Sequence, residues 1–327
     1  MGSGHVQQYH RWATGVGVTA SWRGIGTLRA VRTSGHGWSR ITGAVIAILL
    51  LSSLLVPGCS NGVSIDVEGV EARWMSVPGP GDREALVVTA VDVPKAERRT
   101  RPLFVVLHGA GQNAVEMTTY GGWAVAARDN HAVAAFAQGL DDTFNAGTCC
   151  GASARRGVDD VGYLDRLIRT VTTKVGADPS KVYMVGFSNG AMMTYRYMCE
   201  GVTRLSGAVS LAGTNAAGCT PQRQTAFLQV SGAADQTVPI GDTPSINEAE
   251  LGPLVPVQQA VRELAAAWSC GPPQREVNGA VTTRTWVGCS EGGSVRFDVL
   301  AGIPHMYPFV GTTYSATNEA LALWGFH

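Results

Sequence analysis

The chain has 327 residues, 15% charged and 45% apolar, which suits a globular protein with one large core or two small ones. The formal net charge is zero, but residues 1–58 hold five Arg and neither acid nor Lys, so the rest carries 20 basic against 25 acidic residues. A body with a net charge of −5 has no electrostatic case for binding nucleic acid.

The N-terminus reads as a targeting segment. Ile41 to Gly58 is uncharged, its Ala44–Leu51 stretch is strongly apolar, and Arg40 stands just before it. This is the n-region and h-region pattern of an export signal, though the first forty residues are long for an n-region. Leu55-Val56-Pro57-Gly58-Cys59 then places a small residue before a Cys, which resembles a bacterial lipobox and implies cleavage before Cys59 and its lipidation. A plain membrane anchor, or secretion with Cys59 incidental, is the alternative; the apolar run is short for a spanning helix. The expected division is an export signal over 1–58 and one domain over 59–327.

The elements of that domain follow in order. Val70–Val77 and Glu84–Val93 read as strands joined by a Pro-Gly turn at 78–81. Pro102–Leu107 is a continuous apolar run, as in a strand buried on both faces, and it ends in His108-Gly109-Ala110-Gly111-Gln112-Asn113. A helix is expected over Thr119–Asp129 and a buried strand over Ala132–Ala137. A loop with Asn145 and Cys149-Cys150 follows, then a helix over Val158–Val175 with Asp159 and Asp160 as capping acids in its first turn. After the break at Asp178-Pro179-Ser180 come a strand from Lys181, a sharp turn and a helix to Glu200. Strands are expected at Leu205–Leu211 and Ala226–Val230, a long surface loop over 236–256, and a helix over Pro256–Trp268. Strands at Thr282–Val287 and Val295–Leu300 and a helix at Asn318–Trp324 complete the chain. Strands alternating with helices predict an α/β fold, a mostly parallel central sheet covered on both faces.

The turn after the Lys181 strand is Gly186-Phe187-Ser188-Asn189-Gly190, a G-x-S-x-G match, the nucleophile elbow of serine hydrolases. The turn must be so sharp that a Cβ two residues to either side of the Ser would collide with the crossing strand and helix. Ser188 as nucleophile needs a base, an acid that orients the base, and oxyanion donors. In the α/β-hydrolase order the acid and then the His follow the Ser, each at the end of a later strand. Beyond the signal the His residues are 108, 131, 305 and 327; His305 alone sits in a loop after a late strand. Asp235, just past the Ala226–Val230 strand, is the expected acid, and Asp242, deeper in the loop, is the fallback. The backbone amides of Ala110 and Asn189 are the expected oxyanion donors, with Gly111 the alternative to Ala110, and His108 is expected to buttress that loop.

Leu107-His-Gly-Ala-Gly-Gln-Asn113, Cys149-Cys-Gly-Ala152, Gly157-Val-Asp-Asp-Val-Gly162, Gly186-Phe-Ser-Asn-Gly190, Asp235-Gln-Thr-Val-Pro239 and His305-Met-Tyr-Pro308 come in the order and spacing of the polyhydroxybutyrate depolymerase / feruloyl esterase family, which the chain resembles over roughly residues 85–327. The resemblance implies an extracellular serine carboxylesterase of the mycobacterial lipoprotein type, with triad Ser188, Asp235 and His305, acting on short hydroxyalkanoate or hydroxycinnamoyl-type esters. Pro304 and Tyr307 depart from the family's usual Gly and Trp, which bears on acyl-pocket shape. A surface lipoprotein of binding or antigenic role with a vestigial triad, and a serine peptidase on the same fold, are the other readings. Trp123, Phe144 and Tyr307 are candidates for a pocket wall, although aromatics more often fill cores.

Six Cys follow Cys59, an even number that in an exported chain suggests disulfides. Cys199 with Cys219 and Cys270 with Cys289 are expected because each pair flanks adjacent elements, which leaves Cys149 and Cys150 to each other. No C-x-x-C, H-E-x-x-H, Walker or dinucleotide pattern occurs, so neither metal nor cofactor is expected. The expected partners are a small or oligomeric ester and, through the lipid anchor alone, a membrane; a monomer is expected.

Overall fold

The computed structural model describes residues 62–326. Residues 1–61 and His327, and with them the expected export signal and the expectation placed on Cys59, lie outside the described residues.

Ten strands form one sheet: β1 (Val70–Val77), β2 (Arg83–Ala90), β3 (Leu103–Leu107), β4 (Val133–Ala137), β5 (Val182–Phe187), β6 (Gly207–Leu211), β7 (Ala226–Gly232), β8 (Gln274–Asn278), β9 (Val281–Trp286) and β10 (Ser294–Leu300). Their order is β1-β2-β4-β3-β5-β6-β7-β10-β9-β8, and β4, β3, β5, β6, β7 and β10 run parallel. The helices are α1 (Ala114–Thr119), α2 (Trp123–Asp129), α3 (Gly151–Arg155), α4 (Asp160–Val171), α5 (Asn189–Glu200), α6 (Glu248–Leu251), α7 (Val257–Ala267) and α8 (Ala316–Leu323).

Every residue of β3, β4, β5 and β6 is buried, which is why their sequences are unbroken apolar runs and not alternations. Successive side chains still go to opposite faces. Leu103, Val105 and Leu107 join a core shared with α4, α5 and α7; Phe104 and Val106 join one shared with α1, α2 and α8. The sheet is thus covered on both faces, as the α/β-hydrolase fold requires.

Several elements differ from expectation, each for a local reason. The single helix over 119–129 is two helices, because Gly121 and Gly122 both take left-handed φ (67° and 76°) and a right-handed helix cannot continue through them. Its first part starts earlier, at Ala114, where Asn113 Oδ1 accepts from the Glu116 amide at 3.0 Å. The helix expected to reach Val175 ends at Val171 and passes into a π turn over Thr172–Gly176. The Arg101 guanidinium holds that turn by donating to the carbonyls of Val175 and Gly176. Asp159 does cap α4, accepting from the Gly162 amide at 2.8 Å. Asp160 is not a cap: it is fully buried and paired with Arg83 at 2.9 Å. The β8 strand was not expected; all five of its residues are exposed, so it has no apolar face to reveal it.

The structure pairs Cys199 with Cys219, Cys270 with Cys289, and Cys149 with Cys150. The first two span 20 and 19 residues. In the chain-entropy picture a loop of that length stabilises by about 3 kcal/mol when closed.

Candidate active site

All six parallel strands end on one rim, so the loops that follow them converge there. Ser188 leaves the central strand β5 on that rim with φ 52° and ψ −115°, a conformation that costs an L-residue on the order of 1–3 kcal/mol. Its neighbours impose it. A Cβ on Gly186 would strike the Gly190 carbonyl, and one on Gly190 would lie 2.6 Å from the carbonyl oxygens of Leu107 and His108. Strand and helix are therefore pressed together around the Ser. The turn is pinned by Ser188 N donating to Leu211 O at 2.8 Å and by Met192 N donating to Ser188 O at 3.0 Å.

His305 lies in the loop after β10. Its Nε2 is 2.9 Å from Ser188 Oγ, and its Nδ1 is 2.8 Å from Asp235 Oδ2. The other Asp235 oxygen accepts from the amides of Thr237 and Val238 at 2.9 and 2.8 Å, which fixes the carboxylate at the end of β7. A carboxylate oxygen accepts, so Nδ1 donates to Asp235 and Nε2 is left facing the Ser hydroxyl. The imidazole stacks on Phe187, ring centroids 5.4 Å apart. Asp242, the fallback acid, is exposed and takes no part in these bonds. His131 is elsewhere, half-buried beside Glu97.

The main-chain donors are partly resolved. Gly111 N already donates to Asp142 O at 2.9 Å, so it is committed. Among the described residues nothing accepts from the amides of Ala110 or Asn189. Asn189 opens α5, where the helix dipole favours negative charge. His108 is fully buried beneath this loop. The Gly139 amide donates to its Nε2 at 2.9 Å, so the ring proton sits on Nδ1 and goes to Gly109 O at 2.8 Å. Burial above all lowers its pKa to about 4, with the nearby Arg83 charge adding to the effect against the Gly109 carbonyl and Asp142. It stays neutral and structural.

Trp123, Phe144 and Tyr307, the candidates for a pocket wall, are core residues, 0%, 0% and 7% exposed. Tyr307 accepts from Trp123 Nε1 at 3.0 Å, and burial pushes its phenol up to about 12. Their size would have suggested as much, since large aromatics dominate cores.

Two features beside the site had no legible signal. The Asn189 side chain spans both backbone groups of Phe144: its Oδ1 accepts from Phe144 N at 2.7 Å and its Nδ2 donates to Phe144 O at 2.9 Å. The Arg83–Asp160 pair lies behind the next residue, with Asp160 Oδ2 accepting from Asn145 N at 2.7 Å. Burial raises the Asp160 pKa, opposed by the Arg83 charge and these bonds. Arg83 also sits 3.8 Å over the Tyr163 ring and donates to Gln138 O at 3.0 Å.

Comparison with known proteins bears on this arrangement. Residues 89–249 match the model of a family described as Phospholipase/Carboxylesterase. NocK of Nocardia uniformis subsp. tsuyamanensis, provisionally named an esterase, is 29% identical over 187 residues, 54% of this chain and 54% of its own. Feruloyl esterase B of Piromyces equi is 26% identical over 150 residues, 43% of this chain and 27% of its own. The chain thus spans about half the length of the first relative and about a quarter of the second. Among solved structures, an acetyl xylan esterase from Aspergillus awamori superposes with a TM-score of 0.55 at 14% identity, covering 78% of this chain and 99% of that one. At that identity the likeness speaks for the fold, which is that of the α/β-hydrolases. The family match and the named relatives are thus likenesses to carboxylesterases over part of the chain.

Proposed function

We propose, from this α/β-hydrolase fold and its likeness to carboxylesterases, that the chain hydrolyses carboxylic esters through Ser188, His305 and Asp235. The observation that carries the reading is the pair of bonds at His305, 2.9 Å to Ser188 Oγ and 2.8 Å to Asp235 Oδ2. His305 Nε2 takes the hydroxyl proton as Oγ attacks the ester carbonyl carbon. The carbonyl π pair moves onto oxygen, and the Ala110 and Asn189 amides hold the oxyanion. Its collapse breaks the ester C–O bond, and His305 returns the proton to the leaving alcohol. Water then repeats the sequence on the acyl-serine and releases the acid. Asp235 keeps the imidazole in the required tautomer and offsets the charge it gains.

The finer reading is of an exported lipoprotein, held at the extracellular membrane face through Cys59, that acts on short-chain hydroxyalkanoate or hydroxycinnamoyl-type esters. The naming of one relative as a feruloyl esterase supports the hydroxycinnamoyl type. Paired cysteines support an oxidising compartment. The test is Ser188→Ala in the full chain, assayed with p-nitrophenyl acetate and then with an ester panel of graded acyl length. Turnover should fall by roughly 10⁴–10⁶-fold, as for nucleophiles of other serine hydrolases, and fluorophosphonate labelling should disappear. Equal turnover by wild type and variant would sink the assignment.

A further inference from the structure

The chemistry above needs the Asn189 amide at a fixed spot, and its side chain is tied to a loop and not to solvent. Both backbone groups of Phe144 are taken by the one Asn189 carboxamide. The next residue is held from three sides. Asn145 N donates to Asp160 Oδ2 at 2.7 Å, Asn145 O accepts from Arg196 Nη1 at 2.7 Å, and Asn145 Nδ2 donates to Val158 O at 2.9 Å. Asp160 in turn is set by Arg83 at 2.9 Å. The Asp160 side chain is 0% exposed and that of Arg83 is 5% exposed, so no water competes for these bonds.

We propose that Asp160 is a positioning residue for the oxyanion site, acting through the backbone of Asn145 and Phe144 on the Asn189 side chain. It touches no substrate. It sets where α5 begins relative to the loop over 143–150, and so where the Asn189 N–H points. A buried ionic pair is a poor source of net stability, since apolar residues of like volume often serve as well. Its use here is geometric: two charges and one carboxamide give the loop a single register against the nucleophile elbow. The residues just before that loop meet the other oxyanion arm: Gly139 N donates to His108 Nε2, and Asp142 O accepts from Gly111 N.

This inference rests on the proposed esterase reading, and the test separates the two. In the full chain, Asp160→Asn removes the charge, while Asn189→Ala breaks the last link yet keeps the backbone N–H. Each is assayed for kcat and KM with p-nitrophenyl acetate at 20 °C, beside the double variant and Ser188→Ala. Each single variant should lower kcat by roughly 10–100-fold, less than deletion of an oxyanion donor, with KM within about twofold. The double variant should fall no further than about threefold below the worse single, the non-additivity of residues on one path. A purely structural Asp160 would lower the melting temperature and leave kcat in place; that result overturns the proposal. So does full additivity, or an Asn189→Ala kcat within about twofold of wild type. If Ser188→Ala keeps its turnover, the esterase reading falls instead.

Discussion

His108 gives the most direct test of the electrostatics beneath the oxyanion loop. Its Nε2 faces the Gly139 N–H at 2.9 Å, so a second ring proton would point one donor at another. The pKa lies at about 4, chiefly through burial, with Arg83 disfavouring the charged ring and the Gly109 carbonyl and Asp142 favouring it. An unfolded chain returns it to about 6.5. Between those values the unfolded state binds more protons, so stability falls as pH drops through the window and recovers as it rises. The difference of about 2.5 pKa units corresponds to about 3 kcal/mol, fully present above about pH 6.5 and fully lost below about pH 4. The assay is urea unfolding of wild type and His108→Asn at half-unit steps from pH 4 to 8. The variant should be less stable at neutral pH, but its curve should be flatter across the window by about 3 kcal/mol. Subtraction removes the groups common to both chains. Parallel curves, differing by a constant within about 0.5 kcal/mol, would refute the account of a His forced to stay neutral.

Gly190→Ala should abolish soluble folded protein, or cost more than about 4 kcal/mol, because its Cβ meets two backbone carbonyls that cannot step aside; circular dichroism and expression yield decide it. Replacing both Cys199 and Cys219 by Ser should lower stability by about 3 kcal/mol and the melting temperature by about 6–12 °C. That measurement belongs under oxidising conditions, where the wild-type pair is closed; an unchanged melt would mean the bridge adds nothing.

The parts of the fold that sequence made legible are those where a local rule and the tertiary structure agree. β3, β4 and β5 are apolar without interruption because both faces are covered, and Gly186 and Gly190 flank Ser188 because the elbow leaves no room for a Cβ. His305 and Asp235 could be picked out because chain order and strand ends restrict the choice. Asp160 could not. An Asp doublet at a helix start looks like capping, and only Asp159 caps; whether the second carboxylate turns inward depends on Arg83, 77 positions away. The Asn189 clamp was hidden for the same reason, since Phe144 is 45 residues distant. β8 was missed because an exposed edge strand carries no apolar alternation, although Asn278-Gly279 at its end was an available hairpin signal.

The order of strands across the sheet also sets a timetable. Ser188 follows β5 in the middle, while His305 comes 117 residues later in the loop after β10, which is slotted between β7 and β9. A chain emerging from the ribosome therefore carries Ser188 long before His305 has been made. Under the proposed esterase reading, that serine gains its base only when the last parallel strand docks, so the site is completed at the end of assembly. A premature stop anywhere before His305 removes that base altogether.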